Sequence, residues 1–268
     1  MNKHKKIFII SAGFISFFIL NRLFLYKLIG ILNTLIIYKS LSYALAYTLI
    51  GIPAFIILLF IHKPAQLISS SGISSGFFKG LAAAFIFTLP MFIGYGSLFK
   101  FSDTLTFEKA VIMTLCAGFF EELYYRGIFF GQLFRYTKTG FMPAALIGSV
   151  IFGAIHLYQG NNIASAAGVF GVTAIGAVFF SWVYVEWNYN LWISIWLHTF
   201  MNLSWMLFPS CSNAMGGIFS NVFRILTIAA TIIFTVIYKK RNCHKFEINR
   251  HNLCVNKEKV QYTKIGRL

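Results

Sequence analysis

Apolar runs of about 18 to 25 residues follow one another almost without a break from Ile7 to Tyr238, each bounded by Lys, Arg, Pro or a polar cluster. A helix of that length crosses the hydrocarbon core of a bilayer, and little else can, because lipid offers no partner to an unpaired backbone N–H or C=O. The expected fold class is therefore all-α: a polytopic membrane protein, a bundle of about eight transmembrane helices. Composition points the same way, with 58% hydrophobic residues and only 7 Asp and Glu in 268 residues. A soluble globule is excluded.

Helices are expected near 7–25, 41–61, 80–99, 110–134, 141–158, 163–185, 188–208 and 222–238. The stretch 26–40 is left open between an interfacial segment and an extension of the second helix. The spans form one membrane domain over 1–238, and 239–268 reads as a basic, flexible cytoplasmic tail. That tail holds Lys239, Lys240, Arg241, Lys245, Arg250, Lys257, Lys259, Lys264 and Arg267 against Glu247 and Glu258. Positive charge at both termini puts both on the cytoplasmic side of a multi-pass cell-membrane protein, with anionic lipid headgroups as the tail's partner and no role for nucleic acid. The start, Met1-Asn2-Lys3-His4-Lys5-Lys6 before an apolar run, has no small-x-small cleavage site after it and reads as a retained anchor. The four cysteines are scattered with no C-x-x-C pair, so neither a disulfide framework nor a thiolate metal site is expected. A formal Gly-x-Ser-x-Gly match at Gly72, Ser74 and Gly76 lies in a loop between spans and lacks the strand-turn-helix setting of a nucleophile elbow.

Within this apolar chain, Phe119 to Phe130 carries Glu121, Glu122 and Arg126. A charge near the bilayer centre costs at least ~2.5 kcal/mol on insertion scales, which makes such residues candidates for function. Glu122 and Arg126 are four apart and share a helix face, so an ion pair is the least costly way to hold them; Glu121 is left as the free acid. The fifth helix repeats the four-residue spacing with Phe152 and His156, and the seventh with His198 and Asn202. At ~1.5 Å per residue, Glu121, His156 and Asn202 lie at a similar depth, about 21 Å from one face, with His198 about a turn nearer that face. Singly, a membrane-buried His or Asn is more often interhelical glue.

In their order and spacing the three motifs, Glu121-Glu122-x3-Arg126, Phe152-x3-His156 and His198-x3-Asn202, resemble those of the CAAX proteases and bacteriocin-processing enzymes, the Abi family of intramembrane proteases. The resemblance covers about 95–210. It implies an intramembrane endopeptidase acting on a membrane-associated protein or peptide precursor, of CAAX type or in bacteriocin or signal-peptide processing. By that resemblance Glu121 with His156 activates water, His198 and Asn202 stabilise the oxyanion, and Glu122 and Arg126 hold the site together. Glutamate-activated water needs no obligatory metal; two His and two Glu also make a legitimate zinc set, so a divalent metal such as zinc remains the alternative. Asp103 is the only aspartate, which rules out an aspartyl dyad, and no His-Glu-x-x-His occurs. Two further readings stand beside the protease: a non-enzymatic immunity or scaffold protein of the same fold, and a proton-coupled transporter, against which no internal repeat is seen.

Overall fold

The computed structural model describes residues 1–256. Among them run eight long helices and no strand beyond one isolated bridge, Thr139 to Val255. Helix α1, Lys3–Leu35, starts at Asn2, whose side chain accepts the Lys5 N–H at 2.9 Å. It absorbs most of the stretch left open between 26 and 40, because no proline interrupts it and the chain leaves helix only at Ile36. Helix α2, Lys39–Leu59, contains Pro53, and its first turn is capped from outside: Ser40 N–H donates to Glu108 Oε2 at 2.6 Å. A carboxylate at a helix amino terminus answers both the orphan donors and the dipole. Helix α3 is Phe77–Leu98.

Helix α4 runs from Phe107 to Tyr136 and changes its winding four times. Two α segments, Phe107–Ala110 and Ala117–Glu121, alternate with π segments at Val111–Cys116 and Glu122–Phe130, and Gly131–Tyr136 closes it as α. The Gly131 N–H accordingly reaches back five residues to the Arg126 carbonyl. Helices α5, Phe141–Ile155, α6, Ile163–Glu186, α7, Leu191–Leu207, and α8, Ile218–Arg241, complete the bundle. Six of the eight are long and apolar enough to cross a membrane on those criteria alone, whereas α4 and α7 are not among the six. Helix α7 has only 17 residues, about 26 Å. The two helices that fall short are the ones that carry the Glu-Glu-x3-Arg and His-x3-Asn motifs.

Helix α4 is the centre of the bundle. Every residue from Glu122 to Phe134 is buried, which fits a helix walled in on all sides. Its aromatic rings meet those of α1: Phe14 stacks on Phe129 with centroids 4.2 Å apart, and Phe17 on Tyr124 at 3.9 Å. In lipid, where hydrocarbon surrounds both partners, such close packing rather than water exclusion holds helices together.

The chain alternates up and down, so the turns α2–α3, α4–α5 and α6–α7 gather at one end with both ends of the described chain. There the Leu191 N–H donates to the Gly72 carbonyl at 2.9 Å, and Arg135 donates to the Ser70 carbonyl at 2.9 Å. Helix α7 starts at Leu191 rather than near 188, because Asn188 and Tyr189 turn through positive φ (55° and 57°) and Asn190 caps the helix.

From Lys239 to Asn256 the stretch expected to be a tail packs on the bundle end. Helix α8 carries Lys239 to a buried position, 2% exposed, where Nζ meets Glu186 Oε2 at 2.6 Å and also donates to the Lys245 carbonyl at 2.8 Å. The chain then folds back across the bundle end. Asn252 and Leu253 carbonyls accept the Phe141 and Met142 N–H groups, both at 2.8 Å, so the tail satisfies orphan donors at the start of α5. Asn256 donates to the Lys138 and Phe134 carbonyls, each at 3.1 Å, and closes the end of α4. A polar strap thus ties two motif-bearing helices together. Lys257, Glu258, Lys259, Lys264 and Arg267 lie outside the described residues.

Candidate active site

Close approach of α4 and α7 comes first. A Cβ on Gly118 would lie 2.5 Å from Thr199 Oγ1 and 3.1 Å from the Ile195 carbonyl, so only glycine lets the two helices meet here. The Asn202 side-chain amide then donates to the Met113 carbonyl at 3.1 Å, and Thr199 Oγ1 donates to that of Thr114 at 3.5 Å. Both carbonyls belong to the first π segment of α4, and π turns recur at functional sites.

One turn further along α7, His198 reaches the acidic pair. Its Nδ1 stands 2.9 Å from Glu122 Oε1, and Glu122 in turn meets Arg126 Nη1 at 3.2 Å. The expected Glu122–Arg126 pair is present, with exposures of 0% and 2%, and His198 is its third member. A carboxylate only accepts, so Nδ1 carries a proton, and Nε2 lies 3.9 Å from Glu121 Oε2. That gap is too long for a direct hydrogen bond. Glu121, with a side chain 21% exposed, is the accessible acid, whereas Glu122 is sealed.

Arg126 lies between aromatic faces. Its guanidinium is 4.5 Å from the Phe152 ring of α5 and 5.6 Å from Phe180 of α6, and Phe180 stacks on His198 at 5.3 Å. Cation–π attraction in a dry site is worth about 2 kcal/mol. It partly offsets a shortfall: Nη1, Nη2 and Glu122 Oε2 are buried without a hydrogen-bond partner.

His156 ends α5, its Nδ1 2.7 Å from the Phe152 carbonyl, and its ring lies 4.6 Å from that of Phe152. The carbonyl accepts, so Nδ1 carries a proton. Among the described residues no hydrogen bond or ion pair joins His156 to Glu121; the histidine nearest Glu121 is His198. His198 is level with the acids and Asn202 with Met113, so both motif residues of α7 lie farther from the tail end than the common depth expected. Phe180 and Thr199 complete the site without any signal in the sequence beyond an aromatic in a small-residue helix and a threonine one position from the motif histidine.

A divalent cation fits this donor set poorly. Glu122 Oε1 is already shared between Arg126 and His198, and the guanidinium beside it repels a second positive charge. Among the described residues no three His, Cys, Asp or Glu side chains are grouped to hold a metal.

Residues 103–204 match the family model described as type II CAAX prenyl endopeptidase Rce1-like. A curated relative, "Putative membrane peptidase YdiL" of Bacillus subtilis (strain 168), is 34% identical over 92 residues, which are 34% of this chain and 33% of the relative. The chain thus aligns with about a third of that relative's length. No solved structure matches the chain. The matched segment, 103–204, holds all three motifs in order, and over that part the chain is similar to the CAAX prenyl endopeptidases.

Proposed function

We propose that the protein is an intramembrane endopeptidase that hydrolyses a membrane-associated peptide or protein with Glu121 as general base. The observation that carries this reading is the division of labour between adjacent acids: Glu122 is sealed and bound to Arg126 and His198, while Glu121 stays accessible 3.9 Å from His198 Nε2.

In this mechanism a water donates to Glu121. As the water oxygen bonds to the scissile carbonyl carbon, Glu121 takes its proton, and negative charge develops on the carbonyl oxygen. His198 enters the step as imidazolium with Nδ1–H held by Glu122, donates its Nε2–H to that oxyanion in a hydrogen bond and keeps both protons throughout. Collapse breaks the C–N bond, and the proton on Glu121 passes to the departing amine. A positioned general base contributes typically about 10²- to 10⁴-fold, and removal of one donor in a dry oxyanion site costs about 10²- to 10³-fold. Asn202 keeps α7 seated on α4 through the Met113 carbonyl.

The basic end belongs to the cytoplasm in this reading. Lys3, Lys5, Lys240, Arg241, Lys245 and Arg250 are all exposed at the end where the strap lies, and the positive-inside rule and anionic headgroups favour that orientation. The test is cleavage of candidate precursor peptides in proteoliposomes by the native protein and by Glu121→Gln, each with and without a chelator. Loss of cleavage in Glu121→Gln and indifference to the chelator are expected. Equal cleavage by the two proteins refutes the assignment of Glu121.

A further inference from the structure

We propose that Glu121 is reached only from the end of the bundle opposite the strap, the extracytoplasmic end, so that the substrate is a peptide or protein segment already carried across the membrane. The proposal rests on the proteolytic reading of Glu121 and adds the side from which the substrate comes, and with it the class of reaction that supplies it, translocation.

Distance along α4 does not decide the route. Glu121 stands fourteen residues from Phe107 and fourteen from Arg135, about 21 Å either way. Burial decides it. Toward the strap every residue from Glu122 to Phe134 is buried, whereas Met113 and Leu115, on the other side of Glu121, are exposed. The turns at the strap end make the seal. A Cβ on Gly127 would lie 2.9 Å from the Ser71 carbonyl and one on Gly131 3.0 Å from the Tyr184 ring, so the α2–α3 turn and α6 both rest directly on α4. The Ser70 carbonyl accepts from Gln132 at 3.1 Å and from Arg135 at 2.9 Å, and the Leu191 N–H closes on the Gly72 carbonyl. A peptide entering from the strap end would have to open these bonds, and each buried group left unpaired costs about 1–3 kcal/mol.

At the opposite end the site meets polar loops. His156, half-buried, caps the end of α5, and the chain runs on through the turn Leu157–Gln159 into Gly160-Asn161-Asn162. Facing that turn, Ser210-Cys211-Ser212-Asn213 lies between α7 and α8. The Ala214 N–H donates to Gln159 Oε1 at 3.0 Å and Asn213 Nδ2 to Ser165 Oγ at 3.2 Å, so the two loops border the site together. Irregular polar backbone of this kind belongs in water or headgroups and not in hydrocarbon. Charge assigns this end to the outside: its turns hold Lys39, Lys100 and Lys109 beside Asp103 and Glu108, while exposed lysines and arginines are concentrated at the strap end. Entry from the lipid between two helices is the rival route, and the polar loops beside His156 favour the aqueous one.

The first test does not depend on turnover. Glu121→Cys and His156→Cys are each made in a chain whose native Cys116, Cys211, Cys243 and Cys254 are replaced by Ala or Ser, with thermal unfolding confirming that the variants fold. A third chain keeps only Cys243, which is exposed at the strap end. All three are treated with a charged methanethiosulfonate, which does not cross the bilayer, in sealed right-side-out and inside-out vesicles. Both site cysteines are expected to react at least about tenfold faster in right-side-out vesicles, and Cys243 to show the reverse. Reaction of the site cysteines from the same side as Cys243 overturns the proposal. So does labelling of Cys243 in right-side-out vesicles, and so does reaction of the site cysteines from neither side when the detergent-solubilised protein reacts, the result expected of entry from lipid. The native protein is then given a fluorogenic peptide library with lysine at both ends, outside vesicles of either orientation. Cleavage confined to right-side-out vesicles is expected, and cleavage confined to inside-out vesicles overturns the proposal. Sided labelling without any cleavage would sustain the extracytoplasmic opening and defeat the proteolytic reading instead.

Discussion

The bundle contains two sealed acid–base pairs, and they are built differently. At the tail end, Glu186 and Lys239 use most of their bonding capacity: Glu186 takes Lys239 on Oε2, along with the Glu247 and Ile248 N–H groups at 3.1 and 3.0 Å, and Lys239 also donates to a carbonyl. In the middle, Glu122 and Arg126 leave Oε2 and both terminal guanidinium nitrogens without hydrogen-bond partners, and the remaining carboxylate oxygen is shared with a histidine whose other nitrogen faces the accessible Glu121. A saturated pair fastens. An unsaturated one keeps donors and acceptors in reserve for charge that appears only during reaction, and the cost of that reserve falls on stability.

The largest effect that separates the two pairs is on turnover. Glu121→Gln is expected to lower kcat/KM by about 10²- to 10⁴-fold while the melting temperature in detergent barely moves, since the side chain is partly exposed and free of close partners. A fall in melting temperature that matched the loss of activity would make Glu121 a structural residue.

Removing one partner from each pair sharpens the contrast. Lys239→Met leaves Glu186 uncompensated and is expected to cost about 3–5 kcal/mol of stability, with activity per folded molecule retained. Adding Glu186→Gln to it should restore much of the loss, because the pair exists to satisfy itself. The equivalent double change Glu122→Gln with Arg126→Met is just as neutral in charge, yet it should stay inactive by about 10²-fold or more, since His198 then loses the carboxylate on Nδ1. Recovery of activity in that double variant would reduce the central pair to a second fastening.

A smaller effect is expected at the contact that brings the pair to His198. Gly118→Ala sets a methyl 2.5 Å from Thr199 Oγ1, so α7 must shift, at about 1–3 kcal/mol. Activity should fall with it, measured on protein that still unfolds cooperatively. An active, unshifted Gly118→Ala variant would show that the α4–α7 distance does not set the site.

The contrast also explains what the sequence disclosed. Apolar run length is a property of single helices, so the eight helices were readable, and so was the four-residue spacing that joins Glu122 to Arg126. Contacts between distant segments were not. Glu186 and Lys239 stand 53 positions apart and read as a span end and a headgroup-binding tail, because nothing local marks them as partners. The tail's backbone bonds to α4 and α5 use main-chain groups that every sequence possesses. Nor did the four-residue spacings within α5 and α7 mark which of His156 and His198 meets the acids, because that contact joins separate helices.

The smallest expected effect lies at the tail end, where a third buried polar group tests whether saturation there is purely structural. His62, 6% exposed, meets Gln132 Oε1 through Nε2 at 2.6 Å, and Gln132 Nε2 donates to the Ser70 carbonyl at 3.1 Å. Because the amide oxygen accepts, Nε2 carries a proton. Burial lowers the His62 pKa below its ordinary value of 6.5, with the bond to Gln132 opposing the shift and the charges of Arg135 and Lys6 adding to it. The unfolded chain therefore binds a proton that the folded one resists. The stability contributed by neutral His62 is fully present above 6.5 and is lost as pH falls below that value toward the depressed folded pKa. Between pH 7 and 5.5 the native protein should lose melting temperature more steeply than His62→Gln, by at most about 1.4 kcal/mol per pH unit at 25 °C. Activity per folded molecule should be the same for both at each pH. Parallel stability profiles would mean that His62 titrates alike folded and unfolded, and a divergence in activity alone would mean that the tail end communicates with the site.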